Sequence, residues 1–594
     1  MSTTGGAHRP WLAACAIIVI AVAGVTRAGV PLTPDGVAYL DLSDAALAGR
    51  WHEFVNAYWS PLFPLLLAAA RLGVGSSADR EPLAVMLVNG VAVVAVLASF
   101  ASVLHSLTRR GALPTDGVTA RIAAALGWSV VAGVVLRITP IGLATPDLLV
   151  VAAQLTAVAA VLQCDRPDRN GRAALTAGAA LGVGYLAKGA VLMMAASYLV
   201  VILFLIPRAR RRRVAALMFA GLGLVALPWV IILSIHEGGV TIGSVGRLNL
   251  AWYTGGQSSQ VPDPAAVGTE TLVRQWPRLT DHPVVYDYTL HEIGTYPPWT
   301  DPTWWHEGLV PNPTLPHLGR VVRESGATIW SLFGVSVLAW CLWAALQGGR
   351  PVIPDARASA ALAFLGSAQV AVYWPVHIEV RFLGVAWIYA WLAVLTVAYQ
   401  RQVPRFRTVL FIMVVPVIVA VYAAAPPAFG TPRELAFAAV LTVGILLAVA
   451  RSESRALASA AVLALAVCAP WMASTASSFR NGVPPESRRA ADIAATMRRL
   501  GIPDSADVAS VNASTPAAWA RLGRWRIVAE VARSESSEFW RMNESGRSRV
   551  IRALAGRHVR AVVGIPDAGA SAPADWTPVP GWNAAILPLP VVAK

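Results

Sequence analysis

The sequence predicts an α-helical polytopic membrane protein with about 13 transmembrane helices and a small extracytoplasmic α/β domain at the C-terminal end. Of its 594 residues, 56% are hydrophobic and only 14% are charged, whereas soluble globular chains carry about 25% charged residues. The hydrophobic residues form blocks long enough to cross a bilayer, unlike the short runs of a soluble core. This composition excludes a soluble enzyme, a disordered chain and a collagen-like array.

The formal net charge is +15, but we predict no nucleic-acid partner because the arginines lie in short clusters between the hydrophobic blocks. Such clusters are typical of cytoplasmic anchors. They occur on alternate sides of successive spans, which by the positive-inside rule places the N-terminus in the cytoplasm and the C-terminal end outside. With about 20 apolar residues per crossing, the predicted spans lie near 11–29, 82–107, 119–137, 147–163, 173–187, 189–206, 214–235, 326–346, 358–376, 382–399, 408–424, 434–450 and 456–476.

Most of the non-membrane residues are expected on the outer face. They form a loop at 31–81, a longer loop at 236–325 and a C-terminal segment whose composition changes sharply. We therefore predict a transmembrane domain, 1–476, that carries both loops, and an extracytoplasmic α/β domain, 477–594. In the latter, residue patterns predict helices and strands: the helices at 486–500 and 548–554, and the strands at 508–511, 526–531 and 559–565.

The same tripeptide begins two predicted helices on the outer face: Thr33-Pro34-Asp35 and Thr145-Pro146-Asp147. Threonine, proline and an acid are favoured at helix N-termini, so a purely structural role stays open for both aspartates. Two exposed aspartates facing one cavity would also suit a site that removes a proton from a hydroxyl, or that holds a divalent cation against a phosphate leaving group. The apolar stripe that follows Asp35 predicts a helix lying on the membrane surface.

Basic residues at membrane depth are the next candidates. The chain has 46 arginines and only two lysines, Lys188 and the terminal Lys594. Lys188 lies between two apolar segments, where a compact ammonium suits a phosphate ligand, although a side chain that merely reaches the interface is the alternative. The segment from His377 through Glu379 to Arg381 places three ionisable residues between two apolar helices. Arg381 could hold a lipid phosphate there, or take part in a simple interfacial ion pair.

The 236–325 loop is rich in aromatic residues, including Trp252, Tyr253, Trp299, Trp304 and Trp305. Aromatic faces stack on sugars, so the loop could bind a carbohydrate or cover the cavity, although packing alone would also explain many of these residues. The histidines and glutamates of this loop match no strong zinc motif. The sequence has no serine-esterase elbow and no P-loop, so it supports neither ATP hydrolysis nor esterase chemistry.

These residues resemble motifs of the GT-C superfamily of polyprenyl-phosphate-dependent glycosyltransferases, in particular bacterial enzymes similar to protein O-mannosyltransferases and to the aminoarabinose transferases that modify lipid A. The resemblance covers most of residues 10–400, and the expected spans and outer domain also look like this family. The matching motifs are Asp35-Gly36-Val37-Ala38-Tyr39, Trp59-Ser60-Pro61-Leu62-Phe63-Pro64, Thr145-Pro146-Asp147, Gly182-Val183-Gly184-Tyr185-Leu186-Ala187-Lys188 and Glu379-Val380-Arg381-Phe382-Leu383.

The resemblance implies an inverting transfer of a sugar from a polyprenyl-phosphate-linked donor to a glycan, lipid or protein acceptor. Asp35 would be the catalytic base or a metal-anchoring acid, and Asp147 a second acid in the same cavity. The implied substrate-binding residues are Lys188, Arg381, His377, Glu379 and Tyr39. No cofactor is certain, and a divalent cation (Mg, Mn or Ca) is the one candidate. Many relatives carry two adjacent acids where this chain has Asp35-Gly36.

The expected location is a bacterial plasma membrane with the active face outward, where the other partners would be membrane lipids. Two other functions remain open at this stage. A transporter or flippase of a lipid-linked saccharide would also need a polar cavity among apolar spans. A catalytically inactive GT-C-like scaffold of cell-envelope assembly is the other alternative, since a fold does not fix a function.

Overall fold

The computed structural model describes residues 30–115, 117–166, 170–254, 272–273, 276–329, 356–400, 485–514, 517–567 and 569–590, together with residues 18 and 333. The predicted spans near 408–424, 434–450 and 456–476 lie outside these residues, as do most of the spans near 11–29 and 326–346. Within the described residues, three helices are long and apolar enough to cross a membrane: Ala78–Arg109, Arg208–His236 and Val380–Val397. The total of about 13 spans stays a prediction.

Helices dominate the chain up to residue 400. In chain order they are α1 (Pro34–Leu47), α2 (Trp51–Phe54), α3 (Leu62–Val74), α4 (Glu81–Arg109), α5 (Gly117–Gly133), α6 (Asp147–Val161), α7 (Asn170–Ala187), α8 (Val191–Leu205), α9 (Arg208–His236), α10 (Val245–Thr254), α11 (Pro297–Thr300), α12 (Pro302–Trp305), α13 (Leu315–Ile329), α14 (Ala356–Tyr373) and α15 (Gly384–Gln400). The helix α6 packs between α4 and α7, α7 packs against α9, and α14 packs against α15. One apolar core runs through α4 to α9, α14 and α15, and a second joins α1, α3 and α10 to the C-terminal segment.

Small residues allow α7 and α9 to approach closely. A Cβ at Gly178 in α7 would overlap the backbone carbonyl of Met218 in α9 and lie 2.7 Å from the backbone nitrogen of Leu222. Gly221 in α9 meets the backbone of α7 in the same way. Close packing through small residues is a common way for apolar helices to associate where burial from water contributes little.

We expect Gly178→Ala to lower the thermal unfolding temperature of the purified protein, because the added methyl group has backbone atoms in its place. Overpacking of this kind typically costs about 1–3 kcal/mol. Gly223→Ala is the matched control on α9, since a Cβ at Gly223 meets nothing within 4 Å. Equal unfolding temperatures for the two variants in the same detergent would contradict the described packing.

A seven-stranded sheet joins two distant parts of the sequence. Its strand order is β1-β2-β4-β3-β5-β7-β6, with β3 parallel to β4 and β5 and the other neighbours antiparallel. The strands are β1 (Arg278–Asp281), β2 (Val284–Asp287), β3 (Asp507–Val511), β4 (Arg526–Val531), β5 (Ala561–Gly564), β6 (Thr577–Pro578) and β7 (Ala585–Pro588). The accompanying helices are α16 (Pro485–Arg499), α17 (Ala518–Leu522), α18 (Ser536–Arg541) and α19 (Glu544–Ala555).

Two strands of this sheet, β1 and β2, come from the long loop between α10 and α13. Residues Val285 to Asp287 pair with β4 of the C-terminal segment. The boundary predicted at residue 476 therefore separates two stretches of chain that share one sheet. The patterns of the C-terminal segment predicted β3, β4 and β5, but nothing in the sequence of the loop predicted β1 and β2.

The apolar stripe of helix α1 packs inside the protein. The residues from Gly36 to Ser43 are all buried, and the stripe residue Leu40 is fully buried. The helix packs against α3, α11 and α17, so distant segments of the chain, from residues 297–300 and 518–522, cover it. The position of α1 on the membrane surface stays a prediction.

A buried network of charges fastens α17 to α1 and α4. The guanidinium of Arg521 lies 2.7 Å from Asp41 and 2.6 Å from Asp44, and it also contacts Glu81. Arg71 reaches Asp44 at 2.6 Å from the other side. Burial raises the pKa of the Asp44 carboxyl, but the surrounding arginines, Arg521 foremost, lower it further, to about 2. The Asp44 carboxyl therefore stays ionised in the folded protein near neutral pH.

Candidate active site

The first turns of α1 and α6 meet at one end of the helical core. Thr33 caps α1, because its hydroxyl accepts a hydrogen bond of 3.1 Å from the backbone nitrogen of Gly36. A Cβ at Gly36 would lie only 2.9 Å from the Cβ of Ala144, so the absence of a side chain there lets α1 press against the segment that precedes α6. This contact brings Asp35 and Asp147 to the same place.

The two helix starts are not equivalent, although they share a tripeptide. Thr33 caps α1 through its side chain, whereas the cap of α6 is Pro146 and no side chain caps that helix. Among the described contacts, neither aspartate accepts a hydrogen bond from its own first turn. No capping hydrogen bond therefore accounts for either carboxylate, although both lie in a first turn, where the helix dipole favours an acid.

Arg381 links the two aspartates. Its Nη2 donates a hydrogen bond of 2.7 Å to Asp35 Oδ2, and its Nε lies 3.7 Å from Asp147 Oδ2. Glu379 Oε1 accepts a hydrogen bond of 3.2 Å from Nη2 of the same guanidinium, and its Oε2 lies 2.7 Å from Nε. Lys188 Nζ donates to Asp147 Oδ1 at 2.7 Å. Three carboxylates and two cations that are distant in the sequence thus form one cluster.

The cluster has an open side and a closed side. The side chains of Asp35 and Glu379 are 23% and 37% exposed, whereas that of Asp147 is 4% exposed. The expectation of two exposed aspartates is therefore wrong for Asp147, which the start of α6 buries beneath Lys188 and Arg381. Asp147 Oδ2 is buried without a hydrogen-bond partner.

Aromatic side chains form the walls. Lys188 Nζ lies 3.6 Å from the centroid of the Phe382 ring, a cation–π contact that holds the ammonium against an apolar face. Tyr373 stacks on Phe382, with 4.9 Å between ring centroids. Tyr39, on α1, is buried with its ring packed edge-on against Trp59. Burial raises the pKa of the Tyr39 hydroxyl well above its usual value, so this group stays neutral.

His377 and Glu379 lie at the rim. The ring of His377 stacks on Tyr253 of α10 with centroids 4.3 Å apart and planes only 4° from parallel. His377 Nε2 is 3.7 Å from Glu379 Oε1. Burial raises the pKa of Glu379, but contacts with His377 and Arg381 lower it by more, to about 2. This side chain is therefore negatively charged near neutral pH. The rim thus combines a flat aromatic surface with a carboxylate.

The arrangement does not fit a divalent cation at Asp35. The guanidinium of Arg381 fills the position between Asp35 and Asp147 where a cation bridging the two carboxylates would lie. Among the described residues, no group of three histidines, cysteines, aspartates or glutamates could hold a metal ion.

Sequence reasoning missed the contacts that hold the 236–325 loop in place beside the site. Asn56 donates a hydrogen bond of 3.0 Å to the carbonyl oxygen of Thr300, and Trp59 Nε1 donates to the carbonyl oxygen of Trp299 at the same distance. Tyr58 donates to Asn249 at 3.2 Å. No motif could have identified these contacts, because each joins residues at least 191 positions apart.

No protein-family model matches the chain, and no curated protein matches it in sequence. Among solved structures, that of ArnT from Cupriavidus metallidurans bound to undecaprenyl phosphate superposes with a TM-score of 0.55, at 14% identity, over 98% of both chains. The fold is GT-C-like. The apo structure of the same ArnT gives a TM-score of 0.54, at 14% identity, over 97% of both chains.

The chain also superposes, less closely, on the structure of the oligosaccharyltransferase AglB from Archaeoglobus fulgidus in complex with an inhibitory peptide and a dolichol-phosphate. The TM-score is 0.46 at 15% identity, and the alignment covers 93% of this chain and 69% of AglB. The likeness to ArnT extends over the whole chain, which agrees with the GT-C resemblance of the sequence motifs. At 14% identity it establishes the GT-C-like fold and leaves the roles of individual residues to the geometry of the cluster.

Proposed function

We propose that the protein is an inverting glycosyltransferase of the outer face of a bacterial plasma membrane. It would move a sugar from a polyprenyl-phosphate donor to a glycan, lipid or protein acceptor. The observation that carries this proposal is the cluster itself: an accessible carboxylate, Asp35, beside two cations, Arg381 and Lys188, at the head of apolar helices. The GT-C-like fold supports it, because ArnT was crystallised with a polyprenyl phosphate.

Asp35 is the proposed base. Its Oδ2 is held by Arg381, while within the described residues its Oδ1 accepts no hydrogen bond, so this second oxygen is left to take a proton. A hydroxyl is a weak nucleophile, so the acceptor oxygen needs to lose its proton as it attacks. The new bond forms between that oxygen and the anomeric carbon, and the proton passes to Asp35 Oδ1.

Lys188 and Arg381 are the proposed stabilisers of the leaving group. As the bond between the anomeric carbon and the phosphate oxygen breaks, the electron pair stays on the lipid phosphate and its negative charge increases. Lys188 uses one of its three donors on Asp147, and within the described contacts Nη1 of Arg381 donates to no group. The other two donors of Lys188 and Nη1 of Arg381 therefore remain for the phosphate. Because these groups are held in place before the reaction, they are well arranged to stabilise the charge that develops on it.

Asp147 has a positioning role in this proposal. Its buried carboxylate anchors Lys188 at 2.7 Å and lies 3.7 Å from Arg381. Because Asp147 is closed off from the open side, it orients both cations and does not contact the acceptor. The rim residues His377 and Glu379, with Tyr253, offer a stacking surface and a hydrogen-bond acceptor to a sugar ring.

Sugar transfer is expected to proceed at the same rate when EDTA is present. The reason is that Arg381 already occupies the space between Asp35 and Asp147, so no cation is needed to neutralise the carboxylates. The measurement is the initial rate of transfer by the purified protein, before and after dialysis against EDTA. A rate that falls with EDTA and returns with added Mg²⁺ or Mn²⁺ would contradict this account of Arg381.

The proposal is tested by offering the purified protein, in lipid, a panel of polyprenyl-phosphate sugars carrying labelled sugars, with glycan, lipid and protein acceptors. Formation of a new glycosidic bond, or hydrolysis of the donor, supports the proposal. Movement of intact lipid-linked sugar across the bilayer without a new bond would favour a transporter. Binding without consumption of any donor would favour an inactive scaffold.

A further inference from the structure

A polar cavity that is separate from the candidate active site lies at the opposite end of α6 from Asp147. It has a volume of about 190 Å³ and lies between the C-terminal ends of α4 and α6. The 15 residues of α6 separate it from the active-site cluster by about 22 Å at 1.5 Å per residue. Because α4 is long and apolar enough to cross a membrane, this cavity lies where a spanning helix leaves the bilayer.

The lining of the cavity is basic. Three arginines line it, Arg109, Arg110 and Arg166, together with one acid, Asp165. Arg110 is already engaged, because its Nε donates to the carbonyl oxygen of Leu162 at 2.7 Å and its Nη2 lies 3.0 Å from Asp165. Arg110 therefore has a structural role, because it caps the C-terminal end of α6.

The other two arginines have no such explanation. In the part of the chain that the structure describes, Arg109 and Arg166 form no ion pair and no side-chain hydrogen bond. Asp165 carries a single negative charge, and its carboxylate pairs with Arg110. Two guanidiniums thus border an open cavity without a counter-charge.

We propose that this cavity binds the phosphate-bearing headgroup of an anionic membrane lipid. Guanidiniums bind phosphate oxygens through paired hydrogen bonds, and basic pockets between spanning helices at the cytoplasmic surface are a known form of lipid headgroup site. The position at the ends of α4 and α6 lets the acyl chains stay in the bilayer while the headgroup enters the cavity. The site is separate from the proposed catalytic cluster and does not depend on its function.

The test counts lipids bound to the purified full-length protein by native mass spectrometry. Phosphatidylglycerol is titrated against phosphatidylcholine, and glycerol 1-phosphate serves as the soluble probe of the same phosphate chemistry. The double variant Arg109→Gln with Arg166→Gln removes the two unpaired cations of the cavity. The matched control, Arg212→Gln with Arg213→Gln, removes two exposed arginines from the start of α9 that do not line the cavity.

We expect the cavity variant to bind phosphatidylglycerol at least about tenfold more weakly than the wild type, which corresponds to the loss of one charged hydrogen bond. The control variant is expected to bind like the wild type, and glycerol 1-phosphate is expected to bind weakly to all three proteins. An equal loss in both variants would show general attraction to anionic lipid and overturn the site, as would no loss in either. Tight binding of glycerol 1-phosphate would overturn the lipid as the ligand. Thermal unfolding of the single variant Arg109→Gln, at an exposed position, controls for folding.

Discussion

Replacing Asp35 with asparagine is expected to lower the rate of sugar transfer by about 100-fold or more, the usual contribution of a general base. Asparagine keeps the size of the side chain but cannot take a proton from the acceptor. Arg381 keeps its contact with Glu379 in the variant, so the leaving-group end of the site stays in place. The purified variant should therefore still bind the polyprenyl-phosphate donor with an affinity near that of the wild type.

The control for this experiment is Asp79→Asn, at a side chain that is 77% exposed and remote from the cluster. Rates are measured under single-turnover conditions, so that a change in the chemical step is not hidden by slow release of product. Full activity in Asp35→Asn would exclude this residue as the base. Loss of donor binding in step with activity would assign Asp35 to binding instead.

Arg521→Met is expected to cause a large loss of stability. The guanidinium of Arg521 is buried and contacts Asp41, Asp44 and Glu81 together. Removing it leaves buried carboxylates without their main partner, and breaking a buried ion pair in this way typically costs about 3–5 kcal/mol. Methionine fills a similar volume, so the loss would arise from charge and not from a cavity. The measurement is the thermal unfolding temperature in detergent.

Arg50→Met provides the comparison, because Arg50 forms an exposed pair with Glu53, with side chains 51% and 33% exposed. Exposed pairs contribute only about 0–1 kcal/mol, so this variant should unfold near the wild-type temperature. Similar unfolding temperatures for both variants would show that the network around Arg521 contributes little to holding α17 against α1 and α4. The sugar-transfer rate of Arg521→Met is measured well below its unfolding temperature.

Much of the cluster could be predicted from the sequence. The repeated tripeptide marked Asp35 and Asp147, and the scarcity of lysine singled out Lys188. The charged segment between two apolar helices marked Arg381 and Glu379. Each signal can be recognised within a short stretch of sequence, because a charged residue is costly at membrane depth and stands out among apolar neighbours. Whether these residues catalyse sugar transfer is a separate question, which the experiments above address.

The arrangement of the cluster could not be predicted in the same way. The contact between Arg381 and Asp35 joins residues 346 positions apart, and periodicity carries no information about such distances. The burial of Asp147 depends on how α6 packs between α4 and α7, which tertiary contacts decide. The burial of α1 could not be predicted for the same reason, since its cover comes from residues near 300 and 520.

The shared sheet means that two stretches of the chain are expected to change together during evolution. Val285 and Tyr286 of β2 pair with Val531 and Glu530 of β4, so a substitution on one strand meets its neighbour on the other. A chimera that exchanges only the C-terminal segment with that of a relative would place foreign side chains beside β2. A chimera that also exchanges residues 278–287 would keep the inherited pairing, and we expect it to be the one that folds.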